Sequence, residues 1–231
     1  MSRRNKLEKF AELLTFPNVY QNYSHKEPKL RHVDGRVVDR QGKWSQAHFG
    51  NTNPLILELA CGGGEYTVAL AQQNPASNFI GVDIKGNRIW KGAKIGLEQG
   101  LQNVAFLRTR IEQIELFFTP GEVEEIWITF PDPFLKDSKS NRRLTALPFL
   151  ERYRTILRPD GILYLKTDSP ELYEFSLETF GEADFCEIIY HDDDIYSKPL
   201  VHPALEIKTK YEVMHLENGR KIKYVQVRFR G

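Results

Sequence analysis

The chain has 231 residues, 41% of them apolar and 27% charged, with a net charge of +1 at neutral pH. That length allows a sizeable hydrophobic core in one large or two small domains, and no apolar run approaches the ~18 residues of a membrane helix or the layout of a signal peptide. Two distant cysteines, Cys61 and Cys186, offer no disulfide framework and no metal-ligand spacing, so a reduced, cytoplasmic chain is expected.

Residues 1–50 do not follow the pattern of the rest. They are predicted to form a basic N-terminal extension with a short helix over Lys6 to Leu14, and carry Arg3, Arg4, Lys6, Lys9, Lys26 and Lys29 among other cations. From Pro54 onward, short apolar runs alternate with helical periodicity. "PLILELA" reads as a strand, followed by a helix from Gly64 to Gln73. "SNFIGVDI" precedes a helix from Lys85 to Gln99, and "NVAFLR" precedes one from Ile111 to Phe118. "VEEIWITF" is a fourth strand. After a polar loop, Leu144 to Leu157 is helical, and "RPDG" punctuates a turn. "ILYLKTD" leads into a helix from Pro170 to Phe180, and "FCEIIYH" and "KYVQVRF" supply the last strands. Strands alternating with helices of this length predict an α/β domain over 51–231, with a mainly parallel, seven-stranded Rossmann-like sheet covered on both faces.

In such a sheet, ligands bind outside the carboxyl ends of the strands. The strand ends are therefore the candidate site. "ELACGGGEY" places Glu58 and a Gly-rich turn after the first strand, and Asp83 ends the second, where an acid accepts ribose hydroxyls. A dinucleotide fingerprint asks for a third small residue, but Thr67 stands there. Glu58 also suits an amino-acid ammonium better than a pyrophosphate. In "FPDPF", two prolines restrict the backbone on either side of Asp132. Asp168 in "KTDSP" is either a second site carboxylate or, with Ser169, part of an ordinary helix cap. "TKYE", Thr209 to Glu212, reads by itself as a capping box. "HDDD", His191 to Asp194, reads as a solvated acidic turn, and no metal is expected. Basic side chains gather at 134–158 as well as at the N-terminus, and together with the basic C-terminal segment they could form a phosphate-binding surface.

Taken together, "FPDPFLKDSKSNRRLT", "LELACGGGEY", "GVDIKGNRI", "YLKTDSPELY" and "TKYE" resemble the bacterial tRNA (guanine-N7)-methyltransferases, from about Pro54 to the C-terminus. The resemblance implies the seven-stranded S-adenosylmethionine-dependent methyltransferase fold, S-adenosylhomocysteine as product, and a guanosine of the tRNA variable region as substrate. It implies that Glu58, Gly62, Gly64, Asp83, Arg110 and Asp132 line the methyl-donor site. Lys136 and Asp168, with Thr209, Lys210, Tyr211 and Glu212, would bind the target nucleotide. Lys139, Arg142 and Arg143 would meet the RNA backbone. This sequence departs from the family pattern at Phe134, where a Trp is usual, at Asp137, which dilutes the basic loop, and at Arg110, where an Asp usually faces the adenine.

Guanine N7 carries a lone pair and no proton, so the expected chemistry needs positioning and charge stabilisation, with Asp132 as the catalytic carboxylate, rather than a general base. Rival readings are an exocyclic-amine methyltransferase of the N6-adenine type, since "PDPF" resembles its [DN]-P-P-[YF] loop, and a dinucleotide-dependent reductase. A non-enzymatic RNA-binding module is a third. Monomer and homodimer both remain open.

Overall fold

Residues 5–231 are described by the computed structural model; Arg3 and Arg4 of the basic N-terminal segment lie outside the described residues. The chain divides into a unit that ends at Thr119 and a unit spanning Pro120–Gly231.

The first unit opens with α1 (Lys6–Leu13), started by a complete capping box: the Asn5 side chain accepts from the Glu8 backbone and the Glu8 carboxylate accepts from Asn5 N–H. β1 (Val19–Gln21), α2 (Trp44–Ala47), β2 (Leu55–Leu59), α3 (Glu65–Gln73), β3 (Asn78–Asp83), α4 (Gly86–Glu98) and β4 (Val104–Arg108) follow. Its strands lie in the order β1-β4-β3-β2 and every neighbour is parallel. β2 and β3 are buried along their whole length, as parallel strands covered by helices must be. β1 is the strand that periodicity could not reveal. It has only three residues, yet it buries Tyr20 completely and pairs with β4. The extension is further anchored by Trp44, whose Nε1 donates to the Phe117 carbonyl at 2.8 Å. Where a helix was expected after β4, Ile111–Leu116 tightens into a 3₁₀ segment.

The second unit contains β5 (Val123–Thr129), α5 (Leu147–Ile156), β6 (Leu157–Thr167), α6 (Pro170–Glu182), β7 (Cys186–Asp192), α7 (Lys210–Glu217) and β8 (Lys223–Phe229). The order is β5-β6-β8-β7, with β5 parallel to β6 and both β8 pairings antiparallel. The expected "RPDG" turn survives as an exposed bulge at the start of β6, with Asp160 at φ 62° and a register shift against β5. Aromatic rings fill the core here: Trp127 stacks on Tyr164 with centroids 4.1 Å apart. The architecture is thus α/β with eight mainly parallel strands and helices packed around them, one strand more than expected. Among the described residues, no helix is long and apolar enough to cross a membrane.

Candidate functional site

In the first unit, the chain leaving β2 turns through three left-handed residues, Ala60 (φ 57°), Gly62 (φ 55°) and Gly64 (φ 69°). Glycine bears this conformation without strain. The two glycines do different work. A Cβ on Gly64 would strike the Phe106 ring at 2.5 Å and approach the Gly92 Cα at 3.1 Å, so this glycine lets α3 pack closely on its neighbours. A Cβ on Gly62 or Gly63 would meet nothing nearer than 3.8 Å, which leaves that backbone approachable by a ligand.

Two carboxylates brace this turn. Asp83, 6% exposed at the end of β3, accepts from Gly62 N–H through Oδ2 at 3.0 Å and from Lys85 N–H through Oδ1 at 2.7 Å. Glu58 is buried and accepts from both the backbone and the hydroxyl of Thr67, the backbone bond at 2.8 Å. Thr67 therefore stands where a dinucleotide site would carry a small packing residue, and it is used instead as a donor to Glu58. The departure from G-x-G-x-x-G was its signal in the sequence. Cys61, inside the turn, is buried; desolvation first, and then the Glu58 and Asp83 charges, push its thiol well above the ordinary range. Arg110, two residues past the end of β4, is exposed at the start of the 3₁₀ segment.

In the second unit, β5 delivers the "FPDPF" loop. Phe130 (φ 48°) and Phe134 (φ 42°) both adopt the left-handed region, uncommon for side chains of this size and costing about 1–3 kcal/mol each. Asp132 is exposed between them and accepts from Phe134 N–H at 3.1 Å. The clamp that holds this shape is Arg143. Its Nε donates to the Pro133 carbonyl at 3.0 Å, its Nη2 to the Phe134 carbonyl at 3.2 Å, and its guanidinium lies 4.4 Å from the Phe175 ring centroid. Arg143 is 6% exposed, so its guanidinium is committed to the loop, while Lys136, Lys139 and Arg142 are exposed.

Asp168 does not cap α6. Ser169 does, accepting from Leu172 N–H at 3.1 Å. The Asp168 carboxylate instead pairs with Arg220 at 2.5 Å and lies 3.6 Å from His215 Nδ1, whose ring stacks on Phe130 at 6.0 Å. Asp168, His215 and Phe130 are thereby brought together. Thr209 caps α7, accepting from Glu212 N–H at 3.2 Å. The reciprocal half of the expected capping box is not what Glu212 uses its carboxylate for. That side chain turns inward, fully buried, and its Oε1 accepts from Lys166 Nζ at 2.8 Å and from the Tyr196 hydroxyl at 2.6 Å. Lys210 and Tyr211 stay exposed. Sequence reasoning overlooked Lys166; its signal was a lysine inside the apolar run "ILYLKTD".

The "HDDD" turn is occupied by ion pairs, Asp192 with Lys198 at 2.9 Å and Asp194 with Lys221 at 3.3 Å. Among the described residues, no group of three or more His, Cys, Asp and Glu side chains could hold a metal ion.

Residues 52–225 match the family model described as "Putative methyltransferase". A tRNA (guanine-N(7)-)-methyltransferase of Bacteroides thetaiotaomicron is 48% identical, over 97% of this chain and 86% of its own length. One from Christiangramia forsetii is 47% identical, over the whole of both chains. Among solved structures, the 16S rRNA methyltransferase KamB superposes with a TM-score of 0.62 at 15% identity, covering 85% of this chain and 97% of its own.

Proposed function

The chain belongs to the tRNA (guanine-N7)-methyltransferase family, and from that premise we propose that it methylates N7 of a guanosine in the tRNA variable region with S-adenosylmethionine as donor. The observation that carries the reading is identity of 47% over the full length of a relative so named. We assign the methyltransferase domain to residues 51–231 and the extension to 1–50. The enzyme is placed in the cytoplasm, with its tRNA substrate.

The first unit fits the cofactor. The approachable Gly62–Gly63 backbone suits a ligand that lies against the turn. The Asp83 carboxylate, held by two backbone donors, keeps lone pairs for two ribose hydroxyls. Glu58 is assigned to an amino-acid ammonium as a source of negative charge, and Arg110 is assigned to the adenine side on the family resemblance. When bound, S-adenosylmethionine supplies a methyl group on a sulfonium, transferable without removal of a proton. The chain's residues then have two tasks. They hold the base, and they balance the positive charge that appears on the purine ring as its N7 takes the methyl group. Asp132 is suited to the second task, since the strained loop and the Arg143 clamp fix an exposed carboxylate. Lys136, Asp168 and the Thr209–Glu212 segment (Lys210 and Tyr211 included) are assigned to the nucleotide. Lys139 and Arg142 are assigned to the RNA backbone, and Arg143 to bracing the loop.

The experiment is tritiated methyl transfer to unmodified tRNA, followed by cleavage specific for 7-methylguanosine and nucleoside mass spectrometry. The expected label is in 7-methylguanosine; label in N6-methyladenosine, or tighter binding of NADH than of S-adenosylhomocysteine, would overturn the reading. In the same assay Asp132→Asn lowers turnover about a hundredfold. Full turnover by that variant would remove Asp132 from its role.

A further inference from the structure

Lys166 sits inside β6 with no exposed side-chain surface, two residues before Asp168. A buried ammonium is retained only where acceptors replace its water. Three of its acceptors come from one segment: Glu212 Oε1 at 2.8 Å, the Ile207 carbonyl at 3.0 Å and the Leu205 carbonyl at 3.4 Å. One side chain thus ties down both the approach to "TKYE" and its final residue. Burial pushes the Lys166 ammonium toward lower pKa, and the neighbouring Glu212 charge opposes that push.

Glu212 is the complementary half. Lys166 and Tyr196 both bind Oε1, and Oε2 is buried with no hydrogen-bond partner among the described residues. An anionic oxygen without a donor is costly in a protein interior. Pure helix capping would have used it, as Glu8 does at the start of α1. Because Oε2 is sealed from solvent, the cover over it has to open before any base reaches it, and an anchor must keep the carboxylate in place when it does.

We infer that Lys166 is the positioning residue of the guanine-recognition segment: it fixes Glu212 Oε1 and the backbone at Leu205 and Ile207, so that Oε2 is the oxygen that accepts from the N1–H and 2-amino group of the base. This rests on the assignment of Glu212 to the target guanosine made above. Lys166 touches neither base nor methyl donor; it acts through Glu212.

The test compares tRNA transcripts with guanosine or inosine at the methylated position. Inosine keeps N7 and N1–H but lacks the 2-amino group. Wild type prefers guanosine by at least about tenfold in kcat/KM, the worth of one hydrogen bond to a charged acceptor. Lys166→Met shrinks that preference to within about twofold, mainly through KM for tRNA, and leaves S-adenosylhomocysteine affinity unchanged. Lys166→Met combined with Glu212→Gln shows a preference no smaller than Glu212→Gln alone, because residues acting as a unit are not additive. Should Lys166→Met fail to fold, the charge-neutral double variant and Tyr196→Phe decide the matter. Tyr196→Phe removes the other donor to Oε1 and is expected to reduce the preference several-fold. A folded Lys166→Met that keeps the wild-type preference, or additive effects in the double variant, overturns the inference alone. A wild type that methylates guanosine without preferring it to inosine overturns the Glu212 assignment as well.

Discussion

At the scale of single residues, His48 shows how a hydrogen-bond chain chooses a protonation state. Arg40 Nε donates to the Tyr20 oxygen at 3.2 Å, so the Tyr20 proton is free to point at His48 Nδ1, 3.0 Å away. Burial above all, then the nearby His32 and Arg40 charges, lowers the His48 pKa to about 4. In the unfolded chain it returns to about 6.5. Between these values the unfolded state binds the extra proton, so this contribution is complete above pH 6.5 and is lost as pH falls toward 4. The loss is on the order of 3 kcal/mol. His48→Gln is expected to flatten the fall of the thermal midpoint between pH 6.5 and 4, measured by circular dichroism. His32, also lowered by burial, keeps a smaller slope in place. What the sequence leaves hidden at this scale is partnership. The places of Glu58 and Asp83 at strand ends were legible because the apolar runs before them mark β2 and β3. Lys166 was not, because a lysine in a strand is read as solvated until its acceptors from Leu205 to Glu212, far along the chain, are seen.

Among the elements, the "FPDPF" loop and the short 3₁₀ segment Asp137–Arg142 behind it divide two neighbouring arginines between opposite tasks. Arg142 is exposed; Arg143 spans two carbonyls and a ring. Arg143→Ala should lower stability by about 2–4 kcal/mol, from two charge-assisted bonds and a cation–π contact. It should reduce turnover while leaving the salt dependence of tRNA binding as in wild type, and Arg143→Lys should not restore the loop because an ammonium lacks the planar fork. Chemical denaturation together with filter binding at several salt concentrations checks both halves. Adjacent letters gave the two arginines equal claim to phosphate, and only the burial of one separates them. The capping boxes teach the same lesson. Asn5–Glu8 and Thr209–Glu212 carry equivalent letters, yet one closes its box locally and the other sends its carboxylate to a distant lysine. Local pattern sets which bonds are available, and tertiary partners decide which are made.

For the molecule as a whole, a net charge of +1 hides a clustering of its cations along the chain. Lys136, Lys139 and Arg142 are exposed on one short segment. Replacing all three with Ala should weaken tRNA binding and reduce the slope of log K against log salt by about two to three, at roughly 0.7–0.9 per phosphate lost. An unchanged slope would move the RNA path elsewhere. The alternation of strands and helices made the α/β class legible over nearly the whole chain, since each buried strand needs an apolar run. β1 escaped because three residues are too few to show a period, and its place beside β4 is set by long-range packing of Tyr20. The two cysteines, finally, have a bearing on endurance. Cys186 is pushed up to about 12 by burial, leaving on the order of one thiolate in 10⁵ at neutral pH, and Cys61 is raised as well. Peroxide attacks the thiolate, so the glycine-rich turn carries its sulfur without offering oxidants a foothold, and methylation capacity should outlast the loss of more exposed thiols elsewhere in a stressed cell.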